Sequence, residues 1–382
     1  MNISQFTIAN KLITGKDALV SLYEEAVKLG MNRPIIVTDE ILQKAGAVAK
    51  VEEQLDGLAV GIFNKVKPEP EVEIVADCVK AIKAGKHDGV IAVGGGSAMD
   101  IAKCAAAIAH TEDSIEQFFG VDLIKEKGLP LIAIPTTAGT GSEVTNIAIL
   151  SDKNEQLKKG VVSPYLLPDV ALVSPEMTLT CPQSVTAASG IDALVHAVEA
   201  YISVYASPIT DALAIKAMEM IAKYLPKAYA NPNDVTAREQ MVTASLMAGM
   251  AFGNAGVGAV HALAYPLGGR YHMPHGVSNA LLLPYVMEWN KVACLERFSD
   301  MAAALGQDVR NHSLDEAADK AIEEMVRLCR YVRIPSSLRE FDIPEEAIPD
   351  MAVDASKVTR LLKNNPRVLT VRDIEEIYRA AY

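Results

Sequence analysis

Read as hydrophobic and polar positions, the chain changes character near its middle. Up to about residue 180, short apolar and β-branched runs recur, PIIVTDE, AVGIF, DGVIAVGGG, LPLIAIPTT and DVALVSP, each bounded by turn residues. Stretches of helix formers such as VEIVADCVKAIKAG separate most of them. Near-continuous apolar runs suit strands buried on both faces, and strand–helix alternation builds a parallel sheet covered by helices. Beyond Pro182 the period lengthens: ITDALAIKAMEMIAKYLPKAYA and LDEAADKAIEEMVRLCRYV carry helical spacing, with no convincing strand between them. The pattern predicts an α/β N-terminal domain with a parallel sheet over residues 1–183 and an all-α C-terminal domain over 184–382. The boundary lies in VSPEMTLTCPQS, which supplies two prolines and several cap-type residues. No internal repeat, low-complexity tract or long linker interrupts either half.

Composition narrows the functional classes. At 382 residues, half of them apolar, the chain can bury two ordinary cores. A net charge of −12 argues against a nucleic-acid or anionic-membrane surface, and leaves bound phosphates to backbone amides and hydroxyls. The five cysteines, Cys78, Cys104, Cys181, Cys294 and Cys329, are odd in number, scattered and without a C-x-x-C pair, which fits a reducing, cytoplasmic compartment. MNISQFTIANKLITGK lacks the basic, apolar, small-residue order of a signal peptide. Between Glu239 and Arg270 no residue carries a fixed charge, a stretch longer than a membrane span requires. Gln240, Asn254 and His261 interrupt it and Gly253, Gly256 and Gly258 break its helical continuity, so buried helices facing a site are expected there instead.

The strongest candidate chemistry is a set of four residues in the C-terminal half. Asp192 and His196 lie four apart in SGIDALVHAVEAY, so a helix would present both from one face. His261 in GAVHALAYPLGG and His275 in MPHGVSNA sit among Gly and Pro residues that let backbone approach closely. Together they make a shell of one carboxylate and three imidazoles, suited to Fe(II), Zn(II) or another divalent first-row ion. Singly, each has a plainer reading. Asp192 could close a capping box with Ser189, His196 could be a satisfied core residue, and the other two could be packing or loop residues.

The N-terminal half offers phosphate sites. GVIAVGGGSAMDIAKCAAAIA reads as strand, glycine turn and helix; Gly94, Gly95 and Gly96 permit close backbone approach, and the amides at the helix start can donate to an anion. This is not the G-x-G-x-x-G fingerprint, and a turn without a ligand remains open. Asp100 either complements the helix N-terminus or reaches a ribose hydroxyl. In LIAIPTTAGTGSEVT, Thr136, Thr137, Thr140 and Ser142 interleave with glycines at the carboxyl end of a strand, where open α/β sheets bind ligands. Asp39 ends the strand PIIVT; it could accept from adenosine ribose hydroxyls, favouring NAD over NADP, or cap a helix. Lys158, beside Lys159, is the nearest cationic candidate, against a default of solvated charge.

With these residues in view, the chain resembles the iron-dependent (group III) alcohol dehydrogenase family, which includes lactaldehyde reductases, propanediol dehydrogenases and bacterial methanol dehydrogenases. VTDEIL, AVGGGSAMDIAK, PTTAGTGSEVT, ASGIDALVHAVEAY, NAGVGAVHALAYPLGG and PHGVSNA follow the family's order nearly end to end. The resemblance implies a nucleotide-binding α/β domain, a helical domain, and a cleft between them holding a divalent metal and the nicotinamide. It implies metal ligands at Asp192, His196, His261 and His275. It implies NAD contacts at Asp39, Gly95, Gly96, Ser97, Asp100, Thr136 and Thr137, extended to Thr140, Ser142, Lys158 and Thr178. One position departs: Tyr265 stands where many members carry a histidine, leaving Tyr265 or His272 for proton transfer or as pocket wall, while Phe252 is a candidate apolar wall. The activity implied is reversible hydride transfer between a small primary alcohol or diol, or the corresponding aldehyde, and NAD, by a homo-oligomer, dimer or larger. Alternatives are a polyol or phosphonate-aldehyde reductase of the same superfamily and a lyase resembling dehydroquinate synthase.

Overall fold

The computed structural model describes residues 4–152 and 157–382. Two compact units divide the chain, one spanning Ile8–Cys181 and the other Pro182–Tyr382 together with the residues up to Thr7. The N-terminal segment is tied to the helical unit by a reciprocal pair: the Thr7 amide donates to Asn254 Oδ1 at 2.7 Å and Asn254 Nδ2 donates to the Thr7 carbonyl at 3.0 Å.

In the first unit the strands are β1 (Lys11–Thr14), β2 (Pro34–Val37), β3 (Gly61–Phe63), β4 (Gly89–Gly94), β5 (Gly120–Val121), β6 (Leu131–Pro135), β7 (Ile147–Asp152), β8 (Leu157–Val162) and β9 (Val170–Val173). Six of them form a parallel sheet in the order β1-β9-β6-β4-β2-β3. Its helices are α1 (Leu22–Lys28), α2 (Glu40–Lys44), α3 (Ala47–Glu53), α4 (Val72–Gly85) and α5 (Gly96–Ile108). Alternate residues of each strand feed two separate cores. Ile35, Val37, Val90, Ala92, Leu131 and Ala133 pack with α4 and α5. Ile36, Ile91, Val93, Ile132, Ile134 and Leu172 pack with α1 and α3 on the other face. Both faces are apolar, which is why these strands read as continuous hydrophobic runs.

Two features escaped that pattern. The strand β1 is a half-exposed edge, with only four residues to signal it. The strands β5, β8 and β7 form a second sheet in which β7 and β8 run antiparallel. Burial along β7 alternates residue by residue, the signature of a strand covered on one face only.

The second unit contains α6 (Gln183–Ile202), α7 (Pro208–Ala230), α8 (Val235–Ala255), α9 (Ala259–Tyr271) and α10 (His275–Asn290), followed by shorter helices to Ala380, with no strand among the described residues. The charge-poor stretch is the pair α8 and α9, bent by 101° across the glycines between them. Among the described residues no single helix is long and apolar enough to cross a membrane.

Candidate metal and nucleotide sites

Three helices of the second unit deliver the metal-type residues. Asp192 and His196 project from one face of α6, one turn apart; His261 lies in the first turn of α9, and His275 is the first residue of α10. Asp192, His196 and His261 are nearly inaccessible, at 2%, 4% and 4% exposure. One ligand-type atom each from Asp192, His261 and His275 falls within 4.8 Å of the others. His196 stands outside that trio but against one of its members, its Nε2 lying 3.0 Å from His261 Nε2. The imidazoles of His196 and His261 stack, with centroids 4.7 Å apart, and His196 is backed on its other side by Phe252 at 4.2 Å.

This geometry tests whether the donor set fits a cation. Two imidazole nitrogens facing each other at 3.0 Å can share at most one proton, an arrangement of little use to a core packed only for stability. Nitrogens that bind one zinc-like ion at its usual bond length stand about 3 Å apart, so the same pair is well placed to share a metal. Asp192 is mid-helix and therefore no capping-box partner; its Oδ1 accepts from Asn279 Nδ2 at 2.7 Å and lies 3.9 Å from His261 Nε2. Burial pushes its carboxyl up, but the facing His196, His275 and His261, with the Asn279 amide, outweigh that and hold it below the usual carboxylate range. The residues fit a divalent cation.

Two supporting residues were not foreseen from sequence. Asn279, one turn after His275 on α10 and fully buried, also lies 3.1 Å from His275 Nε2, while its own Oδ1 is buried with no hydrogen-bond partner among the described residues. Glu199, one turn after His196 on α6, places one carboxylate oxygen 2.6 Å from His261 Nδ1. Both follow a ligand by three or four residues on the same helix, a periodicity that could have flagged them. Tyr265 lies one turn beyond His261 on α9 and is half-buried. His272 is exposed and in the left-handed conformation that ends α9, its backbone amide donating to the Gly268 and Leu267 carbonyls.

In the first unit, Gly94 ends β4, Gly95 precedes α5, and Gly96 and Ser97 open that helix, whose first amides point outward as donors. The threonine loop after β6 packs directly on this turn. A Cβ added to Gly96 would sit 2.8 Å from Thr140 Cγ2, and one on Gly95 would sit 3.3 Å from Thr137 Oγ1. Thr136 is buried, and its amide bonds to the Gly94 carbonyl at 3.0 Å. Asp100 serves neither as a complement to its own helix nor as an open carboxylate: Oδ1 accepts from Ser142 Oγ and Oδ2 from the Ile149 amide, each at 2.9 Å. It therefore ties α5 to the loop and to β7.

Lys103, one turn further along α5, completes that tie. Its buried Nζ donates to Ser142 Oγ (2.7 Å), Thr145 Oγ1 (3.1 Å) and the Ile147 carbonyl (3.0 Å). Burial pushes Lys103 down to about 8, against the opposing pull of Asp100 and Glu143, and pushes the neighbouring Glu143 up to about 7. Asp39 caps α2, its Oδ1 accepting from the Leu42 amide at 2.8 Å; Oδ2 takes no hydrogen bond from the described residues. Lys158 is not a solvated charge: its side chain is 9% exposed and pairs with Glu69 at 2.5 Å. Thr178 is buried, its hydroxyl donating to the Pro175 carbonyl at 2.8 Å.

Comparison with known proteins agrees with both units. Residues 9–175 match the family described as iron-containing alcohol dehydrogenase, and residues 186–382 match the C-terminal part of the Fe-containing alcohol dehydrogenase family. Long-chain-alcohol dehydrogenase 1 of Geobacillus thermodenitrificans is 45% identical over 100% of this chain and 98% of its own length. The NAD-dependent methanol dehydrogenase of Bacillus methanolicus is 38% identical over 99% of this chain and all of its own. Among solved structures, a 1,3-propanediol oxidoreductase superposes with a TM-score of 0.98 at 39% identity, covering 100% of both chains. The chain belongs to the iron-containing alcohol dehydrogenase family.

Proposed function

We propose that the protein catalyses reversible hydride transfer between a small primary alcohol or diol and NAD, with the aldehyde as the other carbon partner. The observation that carries this reading is the approach of His196 Nε2 and His261 Nε2 to 3.0 Å, with ligand-type atoms of Asp192, His261 and His275 within 4.8 Å of one another. Asp192, His196, His261 and His275 would hold Fe(II), or Zn(II) in its place; the ion would supply a Lewis acid that makes an alcohol easier to deprotonate and an aldehyde easier to reduce. NAD supplies the hydride acceptor.

The chain's own residues do the positioning. Phe252 stacks on His196 and offers an apolar wall beside it, which suits a small substrate of low polarity. Asn279 holds the carboxylate of Asp192. Tyr265 Oη, one turn beyond His261 on α9 and half-buried, is the protein-side candidate to pass a proton, whereas His272 is exposed at the end of that helix. On the cofactor side, Gly94, Gly95, Gly96 and Ser97 would bring backbone to the pyrophosphate, with hydroxyls from Thr136, Thr137 and Thr140 across from them. Asp100 and Ser142, locked together with Lys103, keep that loop in place. The remaining oxygen of Asp39 would accept from the adenosine ribose, and Lys158 and Thr178 would lie on the same cofactor side.

On this reading residues 8–181 form the nucleotide-binding unit and residues 182–382 the metal-binding unit. The protein would be a cytoplasmic homo-oligomer, a dimer or larger; five free cysteines suit a reducing compartment. The experiment is a panel of primary alcohols, diols, polyols and phosphonate aldehydes assayed with NAD and NADP in both directions. Turnover of short alcohols or aldehydes with preference for NAD is expected. Activity confined to polyols or phosphonate aldehydes, or preference for NADP, would contradict the proposal.

A further inference from the structure

Glu199 stands seven residues after Asp192 and three after His196, so all three share one face of α6. It is 2% exposed, and it spends its two oxygens on two different tasks. Oε2 lies 2.6 Å from His261 Nδ1. Oε1 accepts the Val260 backbone N–H, also at 2.6 Å, in the first turn of α9. That helix has no side chain at its N-cap, where Gly258 stands. A Cβ on Gly258 would lie 3.3 Å from Glu199 Oε1 and 3.1 Å from Asn365 Oδ1, so the glycine leaves the room through which the carboxylate reaches α9.

We propose that Glu199 is the positioning residue that makes His261 a metal ligand. This rests on the metal-site reading above and extends it to a residue outside the ligand set. An ionised carboxylate only accepts, so it binds the Nδ1–H form of the neutral imidazole. The ring proton is thereby held on the side away from Asp192 and His196, and the Nε2 lone pair is left facing them. The opposite tautomer would set a lone pair against the carboxylate and a proton where the cation belongs. Because the second oxygen anchors the backbone one residue before His261, the same carboxylate fixes both the orientation of the ring and the position of its main chain. Its negative charge adds to that of Asp192 near the site of a dication.

Glu199→Gln separates the two tasks. A carboxamide has one acceptor and one donor end, whereas Val260 N–H and His261 Nδ1–H both need acceptors, so the variant must abandon one of them. The measurement is competition for Zn(II) or Co(II) against a chromogenic chelator, with circular dichroism to verify folding. The parent is expected to bind one ion per chain, His261→Ala to bind it far more weakly, and Glu199→Gln to bind it 10- to 100-fold more weakly than the parent, the range expected for outer partners of metal-ligating histidines. Nitrogen-15 spectra of histidine-labelled, metal-free protein should show His261 as the Nδ1–H tautomer in the parent and a loss of that preference in the variant, a change that a purely packing role would not produce.

If Glu199→Gln does not fold, Gly258→Ala decides, since it presses on the same oxygen without altering the carboxylate; a several-fold weaker affinity supports the inference and a parent-like affinity overturns it. A folded Glu199→Gln protein with parent-like affinity and tautomer overturns the role of Glu199 while leaving the four ligands in place. A parent chain that binds no ion, or binds it equally well as His261→Ala, overturns the metal site and this inference together.

Discussion

The two polar sites of this protein are built on opposite principles. In the helical unit the atoms proposed to hold the cation belong to side chains, Asp192, His196, His261 and His275, carried on three helices and bonded by other side chains, Asn279 and Glu199. In the α/β unit the surface proposed for the cofactor is mostly backbone at Gly94–Ser97, and the side chains around it, Asp100, Lys103 and Ser142, are bonded to each other. The first site therefore depends on residue identity, and the second on shape. Loss of one functional group should cripple the former, whereas the latter should be most sensitive to an added atom.

Substitutions can break this contrast, the largest effect first. Asp192→Asn keeps an acceptor for Asn279 but removes the charge, so the fold should survive while the Lewis-acid function fails. A loss of several kcal/mol in transition-state stabilisation, on the order of 10³-fold in kcat/KM, is expected from steady-state kinetics. Activity within tenfold of the parent would show that the carboxylate is not a ligand. Gly96→Ala adds a single methyl 2.8 Å from Thr140 Cγ2 and must displace either the glycine turn or the threonine loop. Roughly 10²-fold loss in kcat/KM for NAD is expected, because a displacement of about 1 Å suffices for that. Adding Thr140→Ser removes the clashing methyl yet keeps the hydroxyl that accepts from the Ser142 amide, and should restore most of the loss. Equal NAD kinetics in Gly96→Ala and parent would mean that the turn is not in contact with the cofactor.

The smallest effect concerns Asp39. Replacing it by Gly costs only a few tenths of a kcal/mol as a helix cap, so the fold is spared and the ribose side is tested alone. The ratio of kcat/KM for NADP over NAD should rise about tenfold, the equivalent of roughly 1.4 kcal/mol. An unchanged ratio would leave Asp39 as a cap and nothing more.

The same division explains what the sequence disclosed. The strands β2, β4, β6 and β9 were legible because burial on both faces leaves uninterrupted apolar runs. The strand β7, covered on one face, and the edge strand β1 were not. In the helical unit the four metal-type residues stood out by chemistry and by the four-residue step from Asp192 to His196. Their supports, Glu199 and Asn279, follow the same helical step but depend on partners 62 and 87 residues away in sequence, His261 and Asp192, so only the fold reveals what they hold. Asp100 and Lys103 show the converse. The spacing places them on one helix face, but only the fold shows the long-range bonds to Ser142, Thr145 and Ile149 by which they clamp the loop.

The central claim is that four side chains of the helical unit hold one cation on which hydride transfer depends. It is tested most directly by following alcohol-dependent reduction of NAD in protein stripped of metal, with elemental analysis of the same sample, and again after adding back Fe(II) or Zn(II). The account predicts that activity disappears with the last bound metal and returns as one ion per chain is restored. Full turnover by protein shown to contain no metal would contradict it.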